Sequence, residues 1–342
     1  MRIAVLTGGG DAAGLNAAIR SVGRHALRGG DEVVGVLNGW AGLLGDGDTR
    51  PLDEAALLGA LRLGGTLLGS SRTNPLRIDD GIAQVEAAMA AHRIDALVAI
   101  GGDDTLSVAA RLAERGAHVV GIPKTVDFDL AVTEYCIGFD SAVAIVAESL
   151  DRLHTTAASH HRVMVCEVMG RDTGWLAVMG GIAGGADLCL IPEFPLHLDE
   201  IVARIAARDA QGKTSSIIVV AEGAQIAGLT AEAGGPADAF GHQNLARRAL
   251  GERLADAIES ANGHESRATV LGHVQRGGSP VATDRIWPSR LGMAAVDAIR
   301  ADTTGVAAAV VANAEQLVPL GDLVAEQKRV PAPIYQVFEA LS

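Results

Sequence analysis

Short apolar runs alternate with alanine-rich stretches along most of this chain of 342 residues. β-Branched residues dominate the runs "RIAVLTGG", "EVVGVL", "DALVAIGG" and "HVVGIP", and helical composition marks the segments 14–29, 78–92 and 105–115. Strands without a polar face are buried on both sides. The alternation therefore predicts an α/β fold in which helices cover both faces of a mostly parallel sheet.

The same alternation resumes after a predicted helix at 140–157, with the runs "RVMVCEVMG", "ADLCLIPE", "SSIIVVAEG" and "RATVLGH". The chain is also longer than the usual length of about 100–200 residues per domain. We therefore predict two similar doubly wound, mostly parallel sheet domains with the active site in the cleft between them. The predicted boundaries are 1–138 plus about 275–304 for the first domain, and 139–274 plus about 305–342 for the second.

A glycine-rich segment, "QIAGLTAEAGGPADAFG" at 225–241, predicts a surface loop before a helix at 242–261. A helix at 283–301 and a strand at 305–313 follow. Because these elements come after the second domain, the chain must cross back over one of the domains there. Neither domain is therefore expected to be one continuous segment.

The charge balance excludes several classes of partner. Lys and Arg number 28 against 41 Asp and Glu, for a net charge of −13, so neither nucleic acid nor an anionic membrane is expected to bind. The sequence has no signal-peptide pattern and no membrane-spanning run, and its three cysteines, Cys136, Cys166 and Cys189, lack metal-ligand spacing. We expect reduced, buried thiols and a cytoplasmic protein.

Two glycine-rich motifs follow predicted strands, at the edge where open α/β sheets bind ligands. In "TGGGDAAGLNAAIR" at 7–20, the glycines allow the backbone to approach an anion, although generic dinucleotide binding or tight packing would explain them equally well. In "IGGDDTLSVA", Gly101 and Gly102 form a tight turn and Asp103 can bind a hard cation such as Mg²⁺. The alternative is that Asp103 or Asp104 caps a helix that begins near Thr105, a role for which one carboxylate is enough.

A third motif, "PKTVDFDL" at 123–130, places two carboxylates on one side of an extended segment. Asp127 and Asp129 are close enough there to share a metal ion and a proton transfer, and two solvated aspartates in a polar loop are the alternative. Lys124 offers a positive charge to a phosphate.

Basic side chains form the fourth feature: Arg162, Arg171, Arg267, His273 and Arg276. Arginine binds phosphate through two parallel hydrogen bonds, whereas any one of these residues could instead form a surface ion pair. Together they predict a site for a phosphorylated sugar.

With these motifs the chain resembles the phosphofructokinase family over essentially its full length. The matching stretches are "VLTGGGDAAGLNAAIR", "GGTLLGSSR", "IGGDDTL", "PKTVDFDLAVTEYCIGFDSAV", "HHRVMVCEVMGRDTGW", "IPE", "AEGA" and "RATVLGHVQRGGSPVATDR". The resemblance implies Mg²⁺-dependent phosphorylation of the 1-hydroxyl of fructose 6-phosphate. It also implies a phosphate-donor domain, a sugar-phosphate domain, and a homodimer or homotetramer whose subunits share active sites.

The resemblance assigns roles to individual residues. It implies Asp127 as the catalytic base, assisted by Lys124, Asp104 and Arg171, and Asp103 and Asp129 as the ligands of Mg²⁺. The residues implied to bind the donor phosphates are Gly10, Arg72, Gly102, Asp103, Asp104, Thr105 and Lys124. Those implied to surround the sugar phosphate are Thr125, Asp127, Asp129, Met169, Gly170, Arg171, Glu222, His273 and Arg276, with Arg162 and Arg267 from a neighbouring subunit.

The stretch "GGDDT" at 101–105, together with Val108 and Lys124, predicts pyrophosphate as the phosphate donor. ATP-dependent members of the family resemble "GGDGS" and "PGTIDND", with small residues where Asp104, Val108 and Lys124 stand here. Asp104 would obstruct a nucleotide by volume and charge, Val108 would narrow the adenine slot, and Lys124 would bind a terminal phosphate. An ATP-dependent 6-phosphofructokinase is the alternative.

Phe128 departs from the family pattern, which usually has asparagine between the two aspartates. Its side chain is predicted to point away from its neighbours, so that both carboxylates keep their roles. This departure leaves two alternative functions open. One is an enzyme whose phosphate acceptor is sedoheptulose 7-phosphate, and the other is a regulatory subunit with weak activity.

Overall fold

The structure is a computed structural model that describes residues 1–45, 47–229 and 249–342. Its strands are β1 (Arg2–Thr7), β2 (Glu32–Val36), β3 (Thr49–Pro51), β4 (Ala96–Gly101), β5 (Val119–Pro123), β6 (Val163–Val168), β7 (Leu188–Leu190), β8 (Ser216–Ala221), β9 (Ser266–Val270), β10 (Val306–Val311) and β11 (Ala314–Pro319). Its helices are α1 (Leu15–Arg28), α2 (Gly81–Ala91), α3 (Asp103–Glu114), α4 (Phe139–His160), α5 (Trp175–Gly184), α6 (Leu198–Ala210), α7 (Leu250–Asn262), α8 (Thr283–Arg300), α9 (Leu320–Val324) and α10 (Ala332–Leu341). Within these residues, no helix is long and apolar enough to cross a bilayer.

The first compact unit comprises Met1–Val126, Leu130–Ser141 and Arg276–Gln327. Its sheet has the order β11-β10-β5-β4-β1-β2-β3, with parallel inner strands and antiparallel pairing of β11 and β3 at the edges. The register pairs Thr7 with Ile100 in β1 and β4, and Gly101 with Pro123 in β4 and β5. The carboxyl ends of these three strands therefore meet at one edge of the sheet.

Close packing of α1 and α8 covers one side of this sheet. A Cβ atom on Gly292 would lie 2.8 Å from Cβ of Ser21, so the small residue permits the approach of the two helices. Apolar side chains of both helices, among them Ile19 and Leu291, join strand residues such as Val5 and Ile100 in the core of the unit. Burial of this surface is the main stabilising contribution to the unit.

The second compact unit comprises Asp127–Asp129, Ala142–Gln275 and Lys328–Ser342, of which residues 230–248 are not described. Its sheet has the order β7-β8-β6-β9, and all the strands are parallel. Val165, Ile218 and Leu254 belong to its core. Two α/β units with mostly parallel sheets confirm the predicted fold class, whereas the cleft as the place of the active site stays a prediction.

The structure differs from the predicted boundaries chiefly at two places. We predicted the chain from about 305 onward in the second domain, but β10 pairs with β5 and β11 folds back on β10, so 305–327 lies in the first unit. The apolar strand β10 extends the larger sheet, an arrangement that local sequence does not reveal. Asp127–Asp129 lies in the second unit and was predicted in the first.

Two other predictions concern the glycine-rich segment and the cysteines. The predicted loop at 225–241 and the start of the helix predicted at 242–261 fall largely outside the described residues, which resume before α7. The three cysteines are buried and form no disulfide, as predicted, and burial raises the pKa of the Cys166 thiol to about 12.

A buried carboxylate anchors the start of α4. Asp284 accepts hydrogen bonds from the Tyr135 hydroxyl, from the Gly138 amide at 2.9 Å, and from the Ser141 amide and hydroxyl at 2.8 and 2.6 Å. Asp140 lies close to this group. Burial and then the negative charge of Asp284 raise the pKa of Asp140 from 3.8 to about 6.

The raised pKa of Asp140 predicts a pH-dependent gain in stability for Asp140→Asn. Folded Asp140 holds its proton to a higher pH than the unfolded chain does, so its contribution is complete below about pH 4 and is lost as the pH rises through 6. The neutral asparagine should raise the free energy of unfolding by about 1–2 kcal/mol at pH 7, after allowance for partial exposure. The gain should vanish below about pH 4.

Urea unfolding at both pH values measures this gain, with Asp151→Asn at an exposed position of α4 as the matched control. An equal gain from Asp140→Asn at both pH values would contradict the explanation.

Candidate active site

Backbone hydrogen bonds join the loops that follow β1, β4 and β5 in the first unit. The Gly8 amide donates to Ile100 O at 3.0 Å, the Gly9 amide to Ser71 O at 3.1 Å, and the Lys124 amide to Gly101 O at 2.9 Å. The structure thus places together four groups predicted to bind the donor phosphates: Gly10, Arg72, the Gly102–Thr105 turn and Lys124. We call this region the donor turn. Its role stays a prediction.

Thr105 explains two of the glycines in the donor turn. Its side chain is 3% exposed, and a Cβ atom on Gly8 would lie 2.4 Å from its Oγ1. A Cβ atom on Gly101 would lie 2.3 Å from Cβ of Thr105. The threonine therefore fills a space that exists only because both positions are glycine, and its main-chain amide lies in the first turn of α3, where helices bind anions.

The two carboxylates of the donor turn do not cap the helix. Gly102 occupies the N-cap position, and α3 begins at Asp103, so the alternative reading of these aspartates as caps is wrong. Both lie in the first turn, where the helix dipole favours negative charge. Asp103 is exposed and accepts a hydrogen bond from Ser107 Oγ at 3.3 Å, whereas Asp104 is half-buried and accepts one from Asn74 Nδ2 at 3.4 Å.

Sequence reasoning missed Asn74. Its side chain also caps the short 3₁₀ turn Pro75–Arg77 by accepting a hydrogen bond from the Leu76 amide. The dipeptide Asn-Pro is a local signal for this turn, but no sequence pattern connects it with Asp104.

Two cations lie against Gly10. Lys124 is 4% exposed, and its Nζ donates to Gly10 O at 2.5 Å. A Cβ atom on Gly10 would lie 2.7 Å from Nη1 of Arg276, so the guanidinium packs directly against this glycine. We predicted Arg276 at the sugar phosphate, and the structure places it beside the donor turn. Positive charge therefore concentrates at one point of a chain whose net charge is −13.

A cavity of about 440 Å³ opens beside the donor turn. Its lining residues are Gly9, Gly10, Asp11, Thr66, Ser70, Ser71 and Arg72. Hydroxyl groups and glycines dominate this set, and no aromatic or large aliphatic side chain occurs among these seven described residues. Val108 is 0% exposed in α3 and does not line this cavity, and its effect on an adenine slot stays a prediction.

The residues predicted around the sugar phosphate follow the parallel strands of the second unit. Met169, Gly170 and Arg171 come after β6, Glu222 after β8 and His273 after β9. The Arg171 amide donates to Glu222 Oε1 at 3.2 Å. The structure therefore brings Arg171 and Glu222 together at the carboxyl edge of this sheet. Thr125 is a buried residue of the first unit.

Arg162 and Arg267 lie at the opposite edge of the same sheet. Arg162 directly precedes β6, and the register pairs Arg267 of β9 with Met164 of β6. Both guanidinium groups contact Glu265, at 2.7 and 2.6 Å, and the hydrogen bond from Arg162 lowers the pKa of that carboxyl. A six-residue strand is about 20 Å long, so the unit keeps these two arginines apart from Arg171.

The loop Asp127–Asp129 is held within the second unit at both ends. Asp127 is 9% exposed, and its carbonyl accepts from Thr173 Oγ1 at 3.0 Å. The Asp129 carbonyl accepts from the Lys328 amide at 2.9 Å. Phe128 has φ 55°, in the left-handed region that asparagine tolerates far better than a bulky residue does. The asparagine expected at this position would therefore adopt the observed conformation at lower cost than Phe128 does.

Comparisons with known proteins agree on the family of this chain. The family description "Phosphofructokinase" matches residues 2–299. The pyrophosphate–fructose 6-phosphate 1-phosphotransferase of Amycolatopsis mediterranei is 48% identical over 99% of this chain and 99% of its own. ATP-dependent 6-phosphofructokinase 3 of Streptomyces coelicolor is 44% identical over 100% of both chains. The T-state crystal structure of Pichia pastoris phosphofructokinase superposes with a TM-score of 0.84 at 32% identity, over 99% of this chain and 36% of the yeast chain.

Proposed function

Because the chain belongs to the phosphofructokinase family, we propose that it transfers a phosphoryl group from pyrophosphate to the 1-hydroxyl of fructose 6-phosphate. The products are fructose 1,6-bisphosphate and inorganic phosphate. The bond broken is a phosphoanhydride and the bond formed is a phosphate ester. We expect the reaction to run in both directions, as a step of glycolysis and gluconeogenesis in the cytoplasm.

The residues in and beside the donor turn are the reason for proposing pyrophosphate rather than ATP as the phosphate donor. Relatives named for pyrophosphate and for ATP differ by only a few per cent in identity, so their names do not decide the donor. A purine base binds in a slot with apolar or aromatic walls. The cavity beside Gly10 is lined by glycines, hydroxyls, Arg72 and one carboxylate, Asp11, and these described residues offer no apolar wall for a base. Its donors and small size suit a compact anion, and the negative charge of Asp104 opposes a longer polyphosphate.

Fixed positive charge is the contribution of Lys124 to the reaction. Its ammonium group is buried beside Gly10, where the low local dielectric strengthens its attraction for phosphate oxygens. Such a charge, in place before the reaction, stabilises the transition state without reorganisation. The amides of the first turn of α3 contribute partial positive charge of the same kind.

Asp127 is the general base in this proposal. Its carboxylate accepts the proton of the 1-hydroxyl while that oxygen bonds to the terminal phosphorus and the bridging oxygen leaves with the other phosphate. Arg171 and Glu222, joined by a hydrogen bond, orient the sugar phosphate. Asp103 and Asp129 would hold Mg²⁺, whose affinity for carboxylate and phosphate oxygens fits the exposed carboxylate of Asp103 in the donor turn. When bound, this ion neutralises charge on the donor phosphates.

The first prediction from this proposal concerns Asp127→Ser. Loss of the base should lower kcat by about 10²–10⁴, while binding of fructose 6-phosphate changes little. Steady-state kinetics with pyrophosphate, together with calorimetric titration of fructose 6-phosphate, measure both effects. Asp151→Ser, at an exposed position of α4, is the control, and near-normal turnover of Asp127→Ser would assign another role to Asp127.

The second prediction concerns the phosphate donor. Asp104→Gly removes volume and negative charge from the donor turn and should shift the ratio of kcat/KM values toward ATP by about 10-fold or more, through weaker use of pyrophosphate and admission of nucleotide. Asp199→Gly, the corresponding second residue of α6, measures the cost of a glycine in a first turn and should leave the ratio unchanged. A wild-type protein that already prefers ATP would refute the donor assignment.

The third prediction concerns assembly, since Arg162 and Arg267 lie away from the other residues of the sugar-phosphate set. We propose that they complete the site of a neighbouring subunit in a homodimer or homotetramer. Asp127→Ser and Arg162→Ala proteins, each inactive alone, should regain activity when their subunits are exchanged. Mass spectrometry of the mixed oligomer verifies the exchange, and mixed oligomers without activity would contradict a shared site.

A further inference from the structure

We propose that Phe128, Trp175 and Lys328 form a clamp that positions the carboxylates of Asp127 and Asp129, an inference that rests on the proposed function. The clamp consists of two aromatic rings and one ammonium group within the second unit. None of its three members belongs to the residues assigned to the substrates. They are positioning residues, which act through the two aspartates.

The left-handed backbone conformation of Phe128 has to be held by the surrounding structure. A bulky side chain at φ 55° is uncommon, and residues in this region persist only where their surroundings hold them. Because Asp127 and Asp129 flank this residue, a change of its backbone conformation would redirect both carboxylates. The contacts of the Phe128 ring therefore bear directly on the geometry of the loop.

The Phe128 ring has two specific partners. Its centroid lies 5.2 Å from that of Trp175, with an angle of 87° between the planes, which is the favourable edge-to-face arrangement. Lys328 Nζ lies 3.5 Å from the centroid of Phe128 and 5.3 Å from that of Trp175. Both distances are within the range of attraction between a cation and an aromatic ring, and the half-buried position of Lys328 strengthens this attraction.

Hydrogen bonds that involve the main chain connect the same three segments as these side-chain contacts do. The Lys328 amide donates to Asp129 O at 2.9 Å, and the Lys328 carbonyl accepts from Trp175 Nε1 at 2.9 Å. Thr173 Oγ1 donates to Asp127 O at 3.0 Å. The turn at 173–175 and the segment at Lys328 thus hold the two ends of the loop, and the ring of Phe128 fills the space between them.

Glu193 fixes the two holding segments to each other. Its Oε1 accepts hydrogen bonds from the Gly174 amide at 3.0 Å and from the Val330 amide at 3.1 Å. The two segments that hold the loop are therefore tied to each other through one carboxylate, as a positioning device requires. A displacement of about 1 Å at a reacting group can lower a rate by about 10²-fold, so we expect the clamp to affect kcat rather than KM.

Lys328→Met tests the clamp because it removes the charge and keeps most of the apolar stem. We expect kcat with pyrophosphate and fructose 6-phosphate to fall by about 10- to 10²-fold. KM for fructose 6-phosphate should stay within about threefold, and Lys328→Arg should recover a large part of kcat because it restores the cation. Phe128→Leu should behave as Lys328→Met does.

Arg290→Met is the matched control. Arg290 Cζ lies 4.3 Å from the centroid of Trp287 in the first unit, so this variant removes a cation from another aromatic ring, away from the assigned site residues. It should keep the wild-type kcat. Circular dichroism and thermal unfolding establish that each variant is folded, and if Phe128→Leu does not fold, Lys328→Met carries the test alone.

Hydrogen exchange of the amides at 126–130 gives a readout that does not depend on turnover. Exchange should be faster in Lys328→Met than in wild type and in Arg290→Met. A kcat within twofold of wild type in folded Lys328→Met, or unchanged exchange of these amides, would overturn the clamp. If wild type uses neither pyrophosphate nor ATP, the proposed function fails, and the exchange measurement still decides whether the clamp holds the loop.

Discussion

Parallel pairing of β1, β4 and β5 is the constraint on which the donor turn depends. The register aligns Thr7 with Ile100 and Gly101 with Pro123, so three loops that are far apart in sequence begin at the same edge. Thr105 then fits between Gly8 and Gly101, where no side chain larger than hydrogen is possible. A slip of one residue would turn each strand's side chains to the opposite face and separate these partners.

Local charge and net charge act in opposite directions in this protein. The chain as a whole repels polyanions, whereas Lys124 and Arg276 concentrate positive charge around Gly10. Burial of Lys124 requires a partner for its ammonium group, and the Gly10 carbonyl supplies one. Asp104, held by Asn74, places a negative charge in the same turn. Such a pattern favours a small anion over a large one.

The loop Asp127–Asp129 shows how one residue's backbone can depend on distant side chains. Phe128 occupies a left-handed conformation that asparagine adopts at lower cost. Aromatic and cation contacts, each contributing roughly 0.5–2 kcal/mol, can offset that cost. Phenylalanine in place of asparagine at position 128 is therefore compatible with an ordered loop. On either side, the Asp127 carbonyl accepts a hydrogen bond from the Thr173 side chain, and the Asp129 carbonyl accepts one from the Lys328 amide.

Periodicity and local motifs were enough to predict the two α/β units and the glycine turns, because strand burial and tight turns depend on neighbouring residues in the chain. The prediction of an extended segment at Asp127–Asp129 was wrong, since Phe128 between them has φ 55°. Local patterns were also not enough to place β10 beside β5 or to connect Asn74 with Asp104. The same holds for Lys328, whose carbonyl meets a Trp175 indole 153 residues away in sequence. Such contacts are decided by strand order and packing, which join residues through space, and a local pattern in the sequence carries no record of that pairing.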